Sequence, residues 1–155
     1  MTIETHVQFG VQNVTLPTEN EIQHWILVAL TQAKRQGSVV IRIVDEQEMT
    51  DLNHRYRKKN KATNVLSFPS QMPAPFRGSE LGDIVICAPV VEKEASEQHK
   101  TIKAHWAHMV IHGALHLLGF DHENESDAAV MEALESQILS EIGFPNPYKV
   151  EIMHE

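Results

Sequence analysis

Residues 112–122, HGALHLLGFDH, carry three histidines at a spacing that suits a metal ion. His112 and His116 are four apart, so on a helix their imidazoles stand one turn apart on one side, at the bite of a single Zn²⁺. His122 follows Gly119, which lets the chain double back and brings a third imidazole to the same point. The spacing therefore predicts one metal ion per chain on His112, His116 and His122. Zinc suits such a set, and Ni²⁺ or Co²⁺ are accepted by the same imidazoles. Three protein ligands leave the fourth position open to water, whose pKa the metal can bring towards 7.

H-x-x-x-H-x-x-G-x-x-H is also the metzincin spacing, in which the residue after the first histidine is a glutamate that serves as general base. Here that residue is Gly113. The coordination looks catalytic while the protease base is missing, which weighs against peptide hydrolysis. His105 and His108 continue the same stripe, which spans roughly 80° of helix circumference. Each is read as orienting a ligand, lining the cleft, or sitting as a hydrogen-bonded core histidine, because a buried imidazole without a partner costs a few kcal/mol. Asp121, beside His122, either orients an imidazole or stabilises the turn.

The elements that must hold these side chains follow from periodicity. Residues 6–14 alternate like a first strand. Thr18 and Glu21 have the form of a capping box before a helix bearing Ile22, Trp25, Ile26, Ala29, Leu30 and Ala33, with Gly37 as its stop. Residues 38–45 read as a strand, and Asp45 caps a helix with Met49, Leu52 and Tyr56 on one side. Residues 64–69 form a short strand ended by Pro69, and 71–80 an irregular loop with two prolines. The run 81–88 is the most apolar strand and is placed centrally. Helices follow over 89–99, 101–119 and 126–142, the second apolar almost all round and hence a core helix. The tail from Phe144 is taken as peripheral. Strands early and helices late predict an α+β fold with a small mixed sheet, in one domain spanning residues 1–155.

Composition narrows the partners. The chain has 13 basic and 21 acidic residues, a net charge of −8, which argues against nonspecific nucleic-acid binding by the whole surface. Yet RYRKKNK at 55–61 concentrates five of the basic residues, leaving the remainder near −13. A polyanion has one local window of approach, although such a run is also consistent with a solvated loop. No apolar run approaches the roughly 20 residues of a membrane span, and the first 20 residues lack the apolar core of a secretory signal. The only cysteine, Cys87, lies in an apolar run and is read as a buried, inert thiol. These features predict a reducing cytoplasm and no membrane association.

HGALHLLGFDH, together with NHRYRKKNKATNVLSFP and LGDIVI, resembles the YbeY family of bacterial endoribonucleases, metal-dependent enzymes of ribosomal RNA maturation. The segments at about 38–92 and 101–142 fall in the family's order and spacing. The resemblance implies a mixed four-stranded sheet packed with helices, with the metal site on a central core helix in zincin-like fashion. It implies zinc on His112, His116 and His122, and a functional arginine at Arg57. Ser67 and Asp83 fall in matching strand motifs, where they either line the cleft or make buried structural hydrogen bonds. Asn64 departs from the family, where many relatives have aspartate.

The resulting expectation is a zinc-dependent single-strand endoribonuclease acting in ribosomal RNA maturation and ribosome quality control, with ribosomal RNA and ribosome-associated proteins as partners. Metal-bound water acts at the scissile phosphate, and Arg57 contacts two phosphate oxygens as charge builds there. Arg55, Lys58, Lys59 and Lys61 are candidates for RNA backbone contacts. Two other readings stand beside it: a metallopeptidase of metzincin-like spacing, and a ribosome-binding factor whose zinc is structural, closed by His105 or His108.

Overall fold

The alternation of Ile3, Thr5 and Val7 with exposed neighbours makes the first strand, β1 (Ile3–Phe9), three residues earlier than the pattern over 6–14 suggests. Gly10 ends it, its N–H donating to the carbonyl of Ile43 at 2.7 Å where a β-carbon has no room. The computed structural model describes residues 3–12, 15–72, 78–121 and 124–148.

Helix α1 (Glu19–Gln32) opens with the expected capping box: the Thr18 hydroxyl accepts from the Glu21 N–H at 3.1 Å, and the Glu21 carboxylate accepts from the Thr18 N–H at 2.9 Å. It stops earlier than expected. Lys34, not a glycine, takes the left-handed conformation with φ 59°. Gly37 instead starts strand β2 (Gly37–Val44), because a β-carbon there would lie 2.8 Å from Leu81 Cγ. Asp45 caps α2 (Glu46–Arg57) as expected, accepting from the Glu48 N–H at 2.9 Å. Strands β3 (Val65–Pro69) and β4 (Glu80–Cys87) follow, then helices α3 (Ala88–Glu97), α4 (Ile102–Leu117) and α5 (Glu125–Glu141). Part of the connection between β3 and β4, residues 73–77, lies outside the described residues.

The sheet has the order β1-β2-β4-β3, with β1, β2 and β4 parallel and β3 antiparallel to β4. This is a mixed four-stranded sheet in an α+β fold, and β4 is internal as its apolar sequence requires. Ile41, Ile43, Ile84 and Ile86 point to one face and pack with Trp25, Leu30, Trp106, Ile111 and Leu115 of α1 and α4. The opposite face carries a smaller cluster of Val44, Met49, Leu66, Val85 and Cys87 beneath α2. Burial pushes the Cys87 thiol pKa up, so it is held protonated and inert. Eleven of the sixteen residues of α4 are buried, so the histidine stripe runs along a core helix pinned between sheet and helices.

Candidate functional site

Helix α4 presents its histidines at graded depth. Thr101 caps it, accepting from the Ala104 N–H at 3.1 Å, and fixes where the stripe begins. His105 and His108 are buried, whereas His112 and His116 are half-buried and line an open cavity of about 370 Å³. Their rings are near parallel, 6° apart with centroids 6.3 Å apart, as the i, i+4 spacing requires. The same cavity is lined by Arg57, from the last turn of α2, by Thr63, Asn64, Val65 and Ser67 around β3, and by Asp121. All but Val65 of the side chains gathered there are polar, and Arg57 belongs to the basic window.

Behind His112 lies a buried carboxylate that spacing along the sequence did not reveal. Glu135 of α5 is fully buried and accepts from His112 Nδ1 at 2.5 Å. Its other oxygen accepts from the Tyr148 hydroxyl, whose oxygen in turn accepts from His108 Nε2 at 3.1 Å. Burial works to raise the Glu135 pKa. The hydrogen bonds from His108, His112 and Tyr148, with the charge of His112, outweigh it and hold the carboxyl at about 2. Tyr148 keeps part of its ring in water, yet desolvation and then the Glu135 carboxylate beside its hydroxyl push it above the ordinary phenol range. The tail from Phe144 is therefore not peripheral as far as Tyr148: Phe144 packs edge-on against Trp25 at 6.3 Å, and Tyr148 completes the carboxylate's hydrogen bonds.

His108, His112 and Glu135 offer ligand atoms all within 4.8 Å of one another, a group able to hold a metal ion. A separation of 2.5 Å between His112 Nδ1 and Glu135 suits a shared proton better than an ion, since zinc ligands stand about 2.0–2.2 Å from the metal on different sides of it. With its proton on Nδ1, His112 has Nε2 as its electron-pair donor, on the ring edge away from Glu135. A carboxylate holding the far nitrogen of an imidazole is the usual support of a metal-ligating histidine. The residues present thus fit a metal on the cavity side, with His112 and His116 as donors. His122 lies outside the described residues.

Gly113 has a packing reason to be there. A β-carbon at this position would lie 2.9 Å from Ile84 Cγ2 and 3.1 Å from Val65 Cγ2, so α4 lies too close to β3 and β4 for any side chain. Its carbonyl accepts from the Ser67 hydroxyl at 2.8 Å. Ser67 therefore both lines the cavity and ties strand to helix, the two roles between which sequence did not choose.

Asp83 is not brought to the cavity. It pairs in register with Phe68, next to the Ser67–Ile84 pair, and so faces the α2 side of the sheet. Burial and then the charge of Glu80 raise its pKa. His108 reaches the site only through Glu135 and Tyr148, and His105 not at all: its Nε2 donates to Glu94 at 2.9 Å. The Glu94 carboxylate also accepts from the Asn64 amide at 3.2 Å, a bond that aspartate at position 64 would replace with repulsion. Arg55, Lys58, Lys59 and Lys61 are exposed on the end of α2 and the segment after it.

Comparison with known proteins agrees across nearly the whole chain. Residues 6–143 match the family model described as Endoribonuclease YbeY. A protein of that name from Nitrosococcus oceani is 47% identical over 151 residues, covering 96% of this chain and 99% of the relative. The solution structure of a Thermotoga maritima protein superposes with a TM-score of 0.58 at 23% identity, covering 97% of this chain and 99% of that one, and so shares the fold.

Proposed function

This chain belongs to the YbeY endoribonuclease family, and from that membership we propose that it is a zinc-dependent endoribonuclease cutting single-stranded RNA in the cavity shared by Arg57, His112 and His116. The observation that carries the proposal is the meeting of an arginine from α2 with two imidazoles from α4 in one open, polar cavity. A phosphodiester needs both kinds of group, one to hold negative oxygens and one to hold a cation.

His112, His116 and His122 would hold one zinc ion, with Glu135 keeping the proton on His112 Nδ1. When bound, the ion supplies Lewis acidity, lowering the pKa of an attacking water or polarising a phosphate oxygen. Arg57 places its planar fork against two nonbridging oxygens and offsets the charge that builds on them. Asp121 lines the same wall and is the described carboxylate nearest in sequence to the third histidine. Arg55, Lys58, Lys59 and Lys61 lead the flanking strand in through the basic window. The substrate is ribosomal RNA, in maturation and quality control of ribosomes, with ribosome-associated proteins as partners. The 155 residues act as a single catalytic domain in the cytoplasm. No helix among the described residues is long and apolar enough to cross a membrane.

The peptidase reading loses support on two counts. Position 113 has no space for a glutamate, and Glu135 lies behind the imidazole with its charge already shared among three donors. The structural-zinc reading needs a fourth protein ligand. His105 and His108 are turned to Glu94 and to Tyr148 and Glu135 instead.

The test is incubation of purified, metal-loaded protein with single-stranded ribosomal RNA and with casein, alongside His112→Ala and Arg57→Ala. RNA cutting by the wild type, lost in both variants, with casein intact, is expected. RNA cutting unchanged in the variants would remove the assignment, and casein cutting lost in His112→Ala would restore the peptidase. Tight zinc retention with neither substrate cut would favour a structural metal.

A further inference from the structure

Two pairs of consecutive residues straddle the free edge of the sheet. Arg57 lines the cavity, while Tyr56, one residue earlier on the last turn of α2, stands 58% exposed. Ser67 lines the cavity, while Phe68, one residue later on β3, points to the opposite face because side chains alternate along a strand. On that face the Tyr56 and Phe68 rings meet edge to face, with centroids 5.2 Å apart and planes 63° apart. Phe68 packs on the small cluster of Val44, Met49, Leu66, Val85 and Cys87 and is half-buried. It thereby props Tyr56 without covering it. β3 is the last strand of the sheet, so among the described residues no further strand shields this edge.

Tyr56 is the most exposed of the large hydrophobic side chains among the described residues, held by one edge contact with most of its ring face left in water. Its surroundings say what would cover it. Arg55, Lys58, Lys59 and Lys61 lie within five residues of it, all exposed, in a chain otherwise strongly acidic. Aromatic faces interleaved with cations are the means by which single-stranded nucleic acid is held, bases on rings and phosphates on cations.

We propose that Tyr56, propped by Phe68, is a stacking subsite for the nucleobase next to the phosphate bound at Arg57. The strand of RNA crosses the free edge of β3, leaving its scissile phosphate in the cavity and an adjacent base on the Tyr56 ring. This inference rests on the RNA-cleaving reading of the cavity and adds a determinant of single-strand preference, since a base paired in a duplex cannot lie on the ring. Asp83, the cross-strand neighbour of Phe68, borders the subsite on the same face.

The test uses full-length, metal-loaded protein and a labelled single-stranded oligoribonucleotide made cleavage-resistant by 2′-O-methyl and phosphorothioate groups. Affinities by fluorescence anisotropy are compared for wild type, Tyr56→Phe, Tyr56→Leu and Arg57→Ala, and repeated on an abasic oligonucleotide of the same length. Tyr56→Phe should bind within about twofold of wild type and Tyr56→Leu about tenfold more weakly, the loss expected for one stacked base. On the abasic strand the wild type, Tyr56→Phe and Tyr56→Leu should bind alike. Urea midpoints matched among these three exclude a folding defect. Tyr56→Leu binding the base-bearing strand as tightly as wild type, or losing affinity equally on the abasic one, overturns the subsite. If Arg57→Ala still weakens binding in that case, the RNA reading survives without the subsite. If Arg57→Ala binds like the wild type, the RNA reading falls with it.

Discussion

At the scale of single residues, the site depends on what surrounds each chemical group. Gly113 is a helix-interior glycine, where alanine would ordinarily stabilise by up to about 1 kcal/mol. Here the added carbon meets Ile84 and Val65 at 2.9 and 3.1 Å. Overpacking of that kind costs about 1–3 kcal/mol, so Gly113→Ala should be destabilising on balance in urea titration, against the propensity trend. Glu135→Gln keeps the shape but weakens the acceptor for His112 Nδ1, and zinc affinity should fall about 10- to 100-fold in chelator competition. Arg57 is exposed, so Arg57→Ala should leave stability within about 0.5 kcal/mol while cutting turnover by about 100-fold or more. His105 gives a pH effect whose sign follows from burial, which lowers its pKa against the opposing pull of Glu94. The unfolded chain then takes up a proton near pH 6.5 while the folded one resists, so stability is lost as pH falls below that value. His105→Gln should flatten the decline in urea midpoint between about pH 7.5 and 5.5.

At the scale of elements, the histidine-bearing helix α4 was the most legible part of the sequence. The i, i+4 histidines, the apolar surround of α4 and the caps at Thr18 and Asp45 are local signals, and each appears where its spacing puts it. What was not legible is what comes from distant chain segments. Glu135 lies 23 residues beyond His112 in an amphipathic helix where glutamates are ordinary, and nothing local marks it as buried. Tyr148 sits in the tail from Phe144, which reads as peripheral in the sequence, yet its hydroxyl closes the Glu135 network. Tyr148→Phe should test that closure: it leaves a buried carboxylate oxygen and His108 short of a partner and should cost about 1–3 kcal/mol in urea titration. The face taken by Asp83 was illegible for another reason. Its strand is buried on both sides, so alternation in the sequence cannot say which side meets the cavity until the register with β3 is known.

At the scale of the whole molecule, fold and charge act together. The mixed sheet brings the end of α2, the edge strand β3 and the middle of α4 to one place, so that residues 57, 67 and 112 meet. Outside the window at 55–61 the chain's net charge is near −13, so the densest run of cations is the one beside the cavity with the histidines, where a polyanion would meet the least repulsion. At most about five phosphates can be engaged there, so the slope of log affinity against log salt should be no steeper than about −3.5 for a single strand. A steeper slope in anisotropy titrations would mean that a second basic surface takes part. The order of strands and helices was readable as α+β, because patterning fixes element type. The sheet order was not, since it depends on pairings between segments far apart in the chain. Zinc-dependent cleavage at the shared cavity is tested by single-turnover cutting of single-stranded ribosomal RNA by wild type, His116→Ala and Arg57→Ala, each confirmed folded and assayed with and without added zinc. Cutting should need zinc, be abolished in His116→Ala and fall at least about 100-fold in Arg57→Ala. Cutting by the wild type that is indifferent to chelation and unchanged in both variants would contradict zinc-dependent cleavage at that cavity.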